Sequence, residues 1–219
     1  MLFNYNNKRK HREEGVIMTT KIVLARHGET EWNKTSRYQG VRDIELNEEG
    51  KKQAKKLFEY LKDEKFDTIY SSTLKRAQAT VQDIADYQNK EIITISELME
   101  IDFGQWEGLT FSEIEENYPD LAKKWAKDPT CCKPPDGEHI KEVEERVGET
   151  IDKIVDDNPN KKILIATHGG IIRIIFAYLL DLPLSRIFSI EVENVSVSRI
   201  HFYKHYPVVK LLNSTHHLK

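Results

Sequence analysis

No apolar run in this chain of 219 residues is long enough to cross a membrane. The amino end is polar where a secretory signal would be apolar. Cysteine is scarce. The two present, Cys131 and Cys132, are adjacent, a spacing that suits neither a zinc site nor a redox pair. They read as free thiols of a reducing compartment. An excess of positive charge is also missing: 33 Lys and Arg against 36 Asp and Glu leave a net −3, which is no nucleic-acid signature. These absences leave the expectation of a soluble, cytoplasmic protein, long enough for one sizeable core and short for two full domains. No internal repeat is visible.

Residues 1–17 differ from the rest of the chain. Asn4 to Glu14 holds no aliphatic side chain and is dense in Asn, Lys, Arg and Glu. Met18 stands just before the first expected strand. The expected organisation is therefore a polar extension over 1–17, outside the fold, and a single domain over 18–219. A partner-binding basic arm, carrying Lys8, Arg9, Lys10 and Arg12, is the alternative.

Four apolar runs have the length and composition of buried strands: Ile22–Ala25, Phe66–Tyr70, Ile92–Ile95 and Lys162–Ala166. Between them lie helical patterns. Asn47 reads as a cap, with Glu48 and Glu49 in the first turn and Ala54, Leu57, Phe58 and Leu61 at helical spacing. Ala77, Val81, Ile84 and Ala85 share one face of a second helix. Ile140–Asp157 and the apolar Ile171–Leu180 are two more. Glu97 to Gly137 reads as a long irregular segment. Arg186–Val192, Ser196–Tyr203 and Val208–Leu212 look like three closing strands. Strands alternating with helices predict an α/β fold: a three-layer, mostly parallel sheet with helices on both faces and an antiparallel edge.

Two strand ends carry a histidine followed by glycine, in Arg26-His27-Gly28-Glu29-Thr30 and in Thr167-His168-Gly169-Gly170. Sites in open α/β sheets form just past the carboxyl ends of strands. Arginine offers a fork of donors suited to phosphate, imidazole can act as nucleophile, base or acid, and glycine lets a backbone approach a ligand. A lone Arg-His-Gly is more often a polar surface turn. Two histidines in matching strand-end context are harder to read that way. Arg76, early in a helix, could share an anion with that helix's amino end. Glu100 lies between apolar residues, where burial would raise its pKa and make it a usable general acid. From spacing alone, a solvated charge is the favoured reading of both Arg76 and Glu100.

Taken together these blocks resemble the histidine phosphatase superfamily, the phosphoglycerate mutase-like proteins. Arg26-His27-Gly28-Glu29-Thr30 with Asn33 resembles its first signature. Tyr70–Ala77, Glu100–Gly108 and Thr167–Gly170 resemble the next three blocks, in the family's order. The resemblance runs from about Lys21 to the end. It implies that His27 is a nucleophile that forms a phosphohistidine. It implies that Arg26, Arg76 and His168 surround the phosphoryl oxygens, that Asn33 and the Gly169 amide add neutral donors, and that Gln39 and Gly40 line the pocket. Glu100 would protonate the leaving alkoxide and then deprotonate the attacking water. The partner would be a small phosphorylated metabolite, with no metal and no cofactor; the oligomeric state stays open.

Within the superfamily the compact chain favours a phosphatase over a mutase, because phosphoglycerate mutases carry extra segments between the blocks. Leu212–Leu218 is similar to the closing pattern of the α-ribazole phosphatase group, which acts late in cobalamin assembly. Pro134-Pro135-Asp136-Gly137-Glu138-His139 departs from the Pro-Gly-Gly-Glu-Ser usual in the family. A broad-specificity phosphomonoesterase is therefore the alternative. A non-catalytic phospholigand-binding protein is disfavoured, because both His27 and Glu100 are present.

Overall fold

The computed structural model describes residues 19–203 and 206–219. The extension over 1–17 and Met18 lie outside the described residues. Among the described residues six strands form one sheet in the order β3-β2-β4-β1-β5-β6. They are β1 (Thr20–Arg26), β2 (Thr68–Ser72), β3 (Ile92–Ile95), β4 (Lys162–Thr167), β5 (Val197–Phe202) and β6 (Pro207–Ser214). The β3-β2-β4-β1 part is parallel, and β5 and β6 are antiparallel additions at one edge. The expected fold class is the observed one.

The central strands read as continuous apolar runs because both of their faces are covered. Ile22 and Leu24 of β1 join Ile163 and Ile165 of β4 in one core cluster. Val23 and Ala25 join Leu164 and Ala166 in the other. The first cluster is closed by α6 (Ile140–Asp157) and α7 (Gly169–Leu180), the second by α2 (Glu48–Leu61) and α3 (Lys75–Tyr87). Each fully buried Leu or Ile in these layers contributes about 1.5–3 kcal/mol, so the strand ends between the layers are fixed points. Among the described residues no helix is long and apolar enough to cross a membrane. Both cysteines are free; Cys131 is exposed and Cys132 half-buried.

Two expectations need correction. The segment 97–137 is not irregular throughout: it holds α4 (Phe111–Asn117) and α5 (Pro119–Lys127). Helix α4 opens on a capping box in which Thr110 and Glu113 satisfy each other's backbone amides. Helix α5 begins with proline in its first turn. Nor is Arg186–Val192 a strand. Leu184–Ser189 is a 3₁₀ helix, and beyond it the Ile190 and Val192 carbonyls accept from arginine side chains. A short helix (α1, Glu31–Lys34) follows β1, capped by Thr30.

Candidate active site

The register of the sheet assembles the site. Arg26 of β1 pairs with Thr167 of β4, the last pair of that ladder. The next residue on each strand is a histidine, and the His27 amide donates to the Thr167 carbonyl at 2.9 Å. The two rings therefore meet, with centroids 5.1 Å apart. Strand β2 lies on the other side of β4, and its last residue, Ser72, is 2.7 Å from His168 Nε2. Three adjacent parallel strands thus end at one point.

His27 is 2% exposed, where a partly exposed nucleophile would be expected; the walls of the site close over the ring. Its Nδ1 is 2.7 Å from the Gly28 carbonyl. A carbonyl only accepts, so Nδ1 carries the hydrogen and Nε2 keeps its lone pair. Burial holds the ring's pKa well below 6.5, and the charges of Arg76 and Arg26 push it the same way. Burial does the same to His168, followed by Arg76. Both rings are neutral at pH 7.

The solvated reading of Arg76 does not hold: its relative exposure is 0%. Its Nη1 and Nη2 donate to the Arg42 and Gly40 carbonyls at 2.6 and 2.8 Å. Gly40 takes up φ +52°, and a Cβ there would run into Glu107. The Glu107 carboxylate in turn accepts from the Val41 amide at 2.8 Å. The loop is thereby held at the distance Arg76 requires. Arg26 Nη1 donates to Val192 O at 2.7 Å. Burial lowers both guanidinium pKa values to about 10, against the opposing pull of Glu100 on each, so both stay charged. Arg26 Nε, Arg76 Nε and His168 Nδ1 are buried without a hydrogen-bond partner. Buried donors are nearly always satisfied, so a cluster of three orphans in one place marks where an anion fits.

Glu100 is half-buried. Its Oε2 accepts from the Gly170 amide at 3.1 Å and its Oε1 from the Ile101 amide at 3.0 Å. The carboxyl group therefore sits at the first turn of α7, beside His168 and the two arginines. Gly169 is the first residue of that helix. Asn33 and Gln39 are both tied to Thr30. Asn33 Oδ1 accepts from Thr30 and Asn194, and Gln39 Oε1 accepts from Thr30 Oγ1 at 2.9 Å. Both oxygens are committed to the scaffold, so only their amide NH₂ ends can serve a ligand. Among the described residues no three His, Cys, Asp or Glu side chains are grouped as a metal cage would be.

Sequence reasoning passes over Arg173 and Asn194. The Asn194 side chain donates to the His27 carbonyl at 3.0 Å. Nothing in its neighbourhood signals that contact. Arg173 had a signal: it is the one charged residue in Gly169–Leu180, a helix with nine buried positions.

The chain matches the model of the histidine phosphatase superfamily (branch 1) over residues 22–215. It is 37% identical over 198 residues to phosphoserine phosphatase 1 of Hydrogenobacter thermophilus, covering 90% of this chain and 94% of that one. The structure of a phosphoserine phosphatase from Entamoeba histolytica, solved with 3-phosphoglyceric acid, superposes with a TM-score of 0.83. It shares 35% identity and covers 91% of this chain and 100% of its own. The α-ribazole phosphatase of Shigella flexneri superposes with a TM-score of 0.82 at 28% identity, over 89% and 96% of the two chains. With four motif blocks gathered at one end of one sheet and these likenesses across nearly its whole length, this chain belongs to the histidine phosphatase superfamily.

Proposed function

We propose that the protein is a phosphomonoesterase that works through a phosphohistidine on His27 and needs no metal ion. The observation that carries this is the neutral His27 ring. Its Nε2 lone pair belongs to a cluster with two charged guanidinia and His168, in which Arg26 Nε, Arg76 Nε and His168 Nδ1 have no protein partner. In the first step Nε2 attacks phosphorus and the P–O bond to the leaving group breaks. Glu100 gives its proton to the departing oxygen. Arg26, Arg76 and His168 hold the equatorial oxygens as charge gathers on them. With Ser72 donating to its Nε2, His168 carries its own hydrogen on Nδ1, the orphaned atom. Asn33 and the Gly169 amide add neutral donors, with Gln39 and Gly40 in the wall. In the second step Glu100 takes a proton from water, whose oxygen attacks phosphorus, and the P–N bond breaks to release phosphate. Splitting one displacement into two lowers each barrier.

The substrate is a small phosphate ester. The phosphoserine phosphatase relative, at 37% identity over 90% of the chain, supports a phosphoserine-like ester. A second reading, α-ribazole 5′-phosphate, is supported by the Shigella structure and by Leu212–Leu218. That support is limited by where the stretch goes: Leu218 O accepts from Lys56 on α2, and His217 stacks on Tyr60. The closing pattern thus docks the chain's end on α2. The test is phosphate release from phosphoserine, α-ribazole 5′-phosphate and nitrophenyl phosphate with EDTA present throughout. Turnover should survive EDTA and show an acid-labile phosphoenzyme. Loss of activity on chelation, restored by a divalent ion, would overturn the mechanism.

A further inference from the structure

Arg173 is a third guanidinium at the site, and the mechanism leaves it without work. It lies one turn into α7 from Gly169. Its Nη1 and Arg26 Nε are each 3.3 Å from the position a Cβ on Gly169 would take. The glycine keeps the space between these two cations open. Arg173 Nε donates to the Ile190 carbonyl at 2.8 Å, which leaves the Nη1/Nη2 end of the fork. The guanidinium lies over the ring of Phe188, 5.9 Å from its centroid. Phe188 is 49% exposed, and Arg173 itself is half-buried. Among the ion pairs of the described residues Arg173 has none; Glu100 and Glu191 attract it only at longer range.

The charge count then decides. A phosphoryl dianion is matched by Arg26 and Arg76. When Glu100 carries its proton for the leaving group, Glu191 is the carboxylate left to attract Arg173, and it forms no ion pair with it. A half-buried cation held only at that range is stabilised by a ligand that brings a paired counter-charge. Its free fork suits a planar carboxylate better than a single point acceptor.

We propose that Arg173 is a specificity-determining residue that receives a carboxylate on the substrate, next to the phosphate ester. This deepens the phosphatase reading and rests on it for the placing of the phosphate. Its test uses binding, so that it does not depend on turnover. The probes are 3-phosphoglycerate and glycerol 3-phosphate, which differ in a carboxylate against a hydroxymethyl group. Each is titrated calorimetrically into the full chain carrying His27→Ala, and into the same chain with Arg173→Met added. The parent should bind the carboxylated ester at least tenfold tighter. Adding Arg173→Met should weaken that ester about 10- to 100-fold, the size of a lost charge-assisted pair, and leave the neutral ester within about twofold. Arg173→Lys, which keeps the charge and loses the fork, should fall between, and serves if the methionine variant does not fold. Equal affinity for the two esters in the parent, equal weakening of both by Arg173→Met, or no binding of either would overturn the proposal. Failure of the wild-type chain to release phosphate from any ester would overturn the phosphatase reading, and the binding result would stand apart from it.

Discussion

Arg146 and Glu138 meet side on in two parallel bonds, Nε to Oε1 at 2.9 Å and Nη2 to Oε2 at 2.8 Å. The pair braces the segment that carries Glu100. Arg146 also donates to the Glu97, Met99 and Glu100 carbonyls, and Glu138 accepts from the Asp102 amide at 3.0 Å. Glu138 belongs to the Pro134–His139 stretch that departs from the family pattern, so the departure leaves this carboxylate in place. Arg146→Lys keeps the charge and loses the fork. Misplacing a reacting group by an ångström costs on the order of 10²-fold. Turnover of alkyl phosphates should therefore fall about 10- to 100-fold, while the initial burst from nitrophenyl phosphate changes little. Equal losses on both esters would assign Arg146 to general stability.

Much of this was readable from the residues alone. The apolar runs and the capped amphipathic patterns gave the sheet and four of its helices, because strands covered on both faces cannot hide their composition. The His-Gly strand ends could be paired because residues that follow two neighbouring parallel strands come together, and the His27 and His168 rings do. What stayed hidden depends on contacts distant in sequence. Ile187, Phe188, Ile190 and Val192 look like a strand, but the Ile190 and Val192 carbonyls serve Arg173 and Arg26 in place of a ladder. Arg76 looks like a surface charge until the Gly40–Arg42 carbonyls are brought to it. Helix α4 went unread within the segment 97–137, although Thr110-Phe111-Ser112-Glu113 is a capping-box pattern that signals it.

Gly170 tests the position of Glu100 from the other side. A Cβ there would meet Glu100 Oε1 and lie 2.8 Å from Ile101 Cδ1. Alanine favours the helix over glycine by about 1 kcal/mol, so the cost falls on the Glu100 carboxyl group and the Ile101 side chain beside it, not on α7. Gly170→Ala should slow alkyl-ester turnover clearly in wild type and add little to Glu100→Gln, since both act on one group. Additive losses in the double variant would show that the alanine acts elsewhere.

The neutral histidines predict acid sensitivity. Both folded pKa values lie below the ordinary 6.5, so below that pH the unfolded chain binds more protons than the folded one. Their share of stability is full above about pH 6.5 and is lost as pH falls from there toward the folded values, at up to about 1.4 kcal/mol per pH unit for each ring. His201 and His217 are shifted down as well, so the site's share needs a variant. Urea midpoints between pH 5 and 8 should fall more steeply below 6.5 for wild type than for His168→Gln. Matching slopes would mean that His168 takes up its proton without cost in the folded state.

The assignment of Glu100 makes the sharpest joint claim of sequence and geometry. Its carboxyl is held by two amides beside the His27 cluster, where it can reach a leaving oxygen. If it protonates that oxygen, its importance should track how much the leaving group needs a proton. An alkyl phosphate departs as a strongly basic alkoxide; nitrophenolate hardly needs help. Glu100→Gln should slow alkyl esters by roughly 10²–10⁴-fold, the usual size of a general-acid contribution. Formation of the phosphoenzyme from nitrophenyl phosphate should suffer far less and appear as a burst of nitrophenol. Turnover after the burst should be slow, because the same carboxylate activates the water. Single-turnover kinetics resolve the two steps. If the burst slows equally for both esters, another carboxyl group supplies the proton. Glu107 is then the first to test, since burial already raises its pKa, and its Oε1 sits against the Gly40–Val41 loop that clamps Arg76.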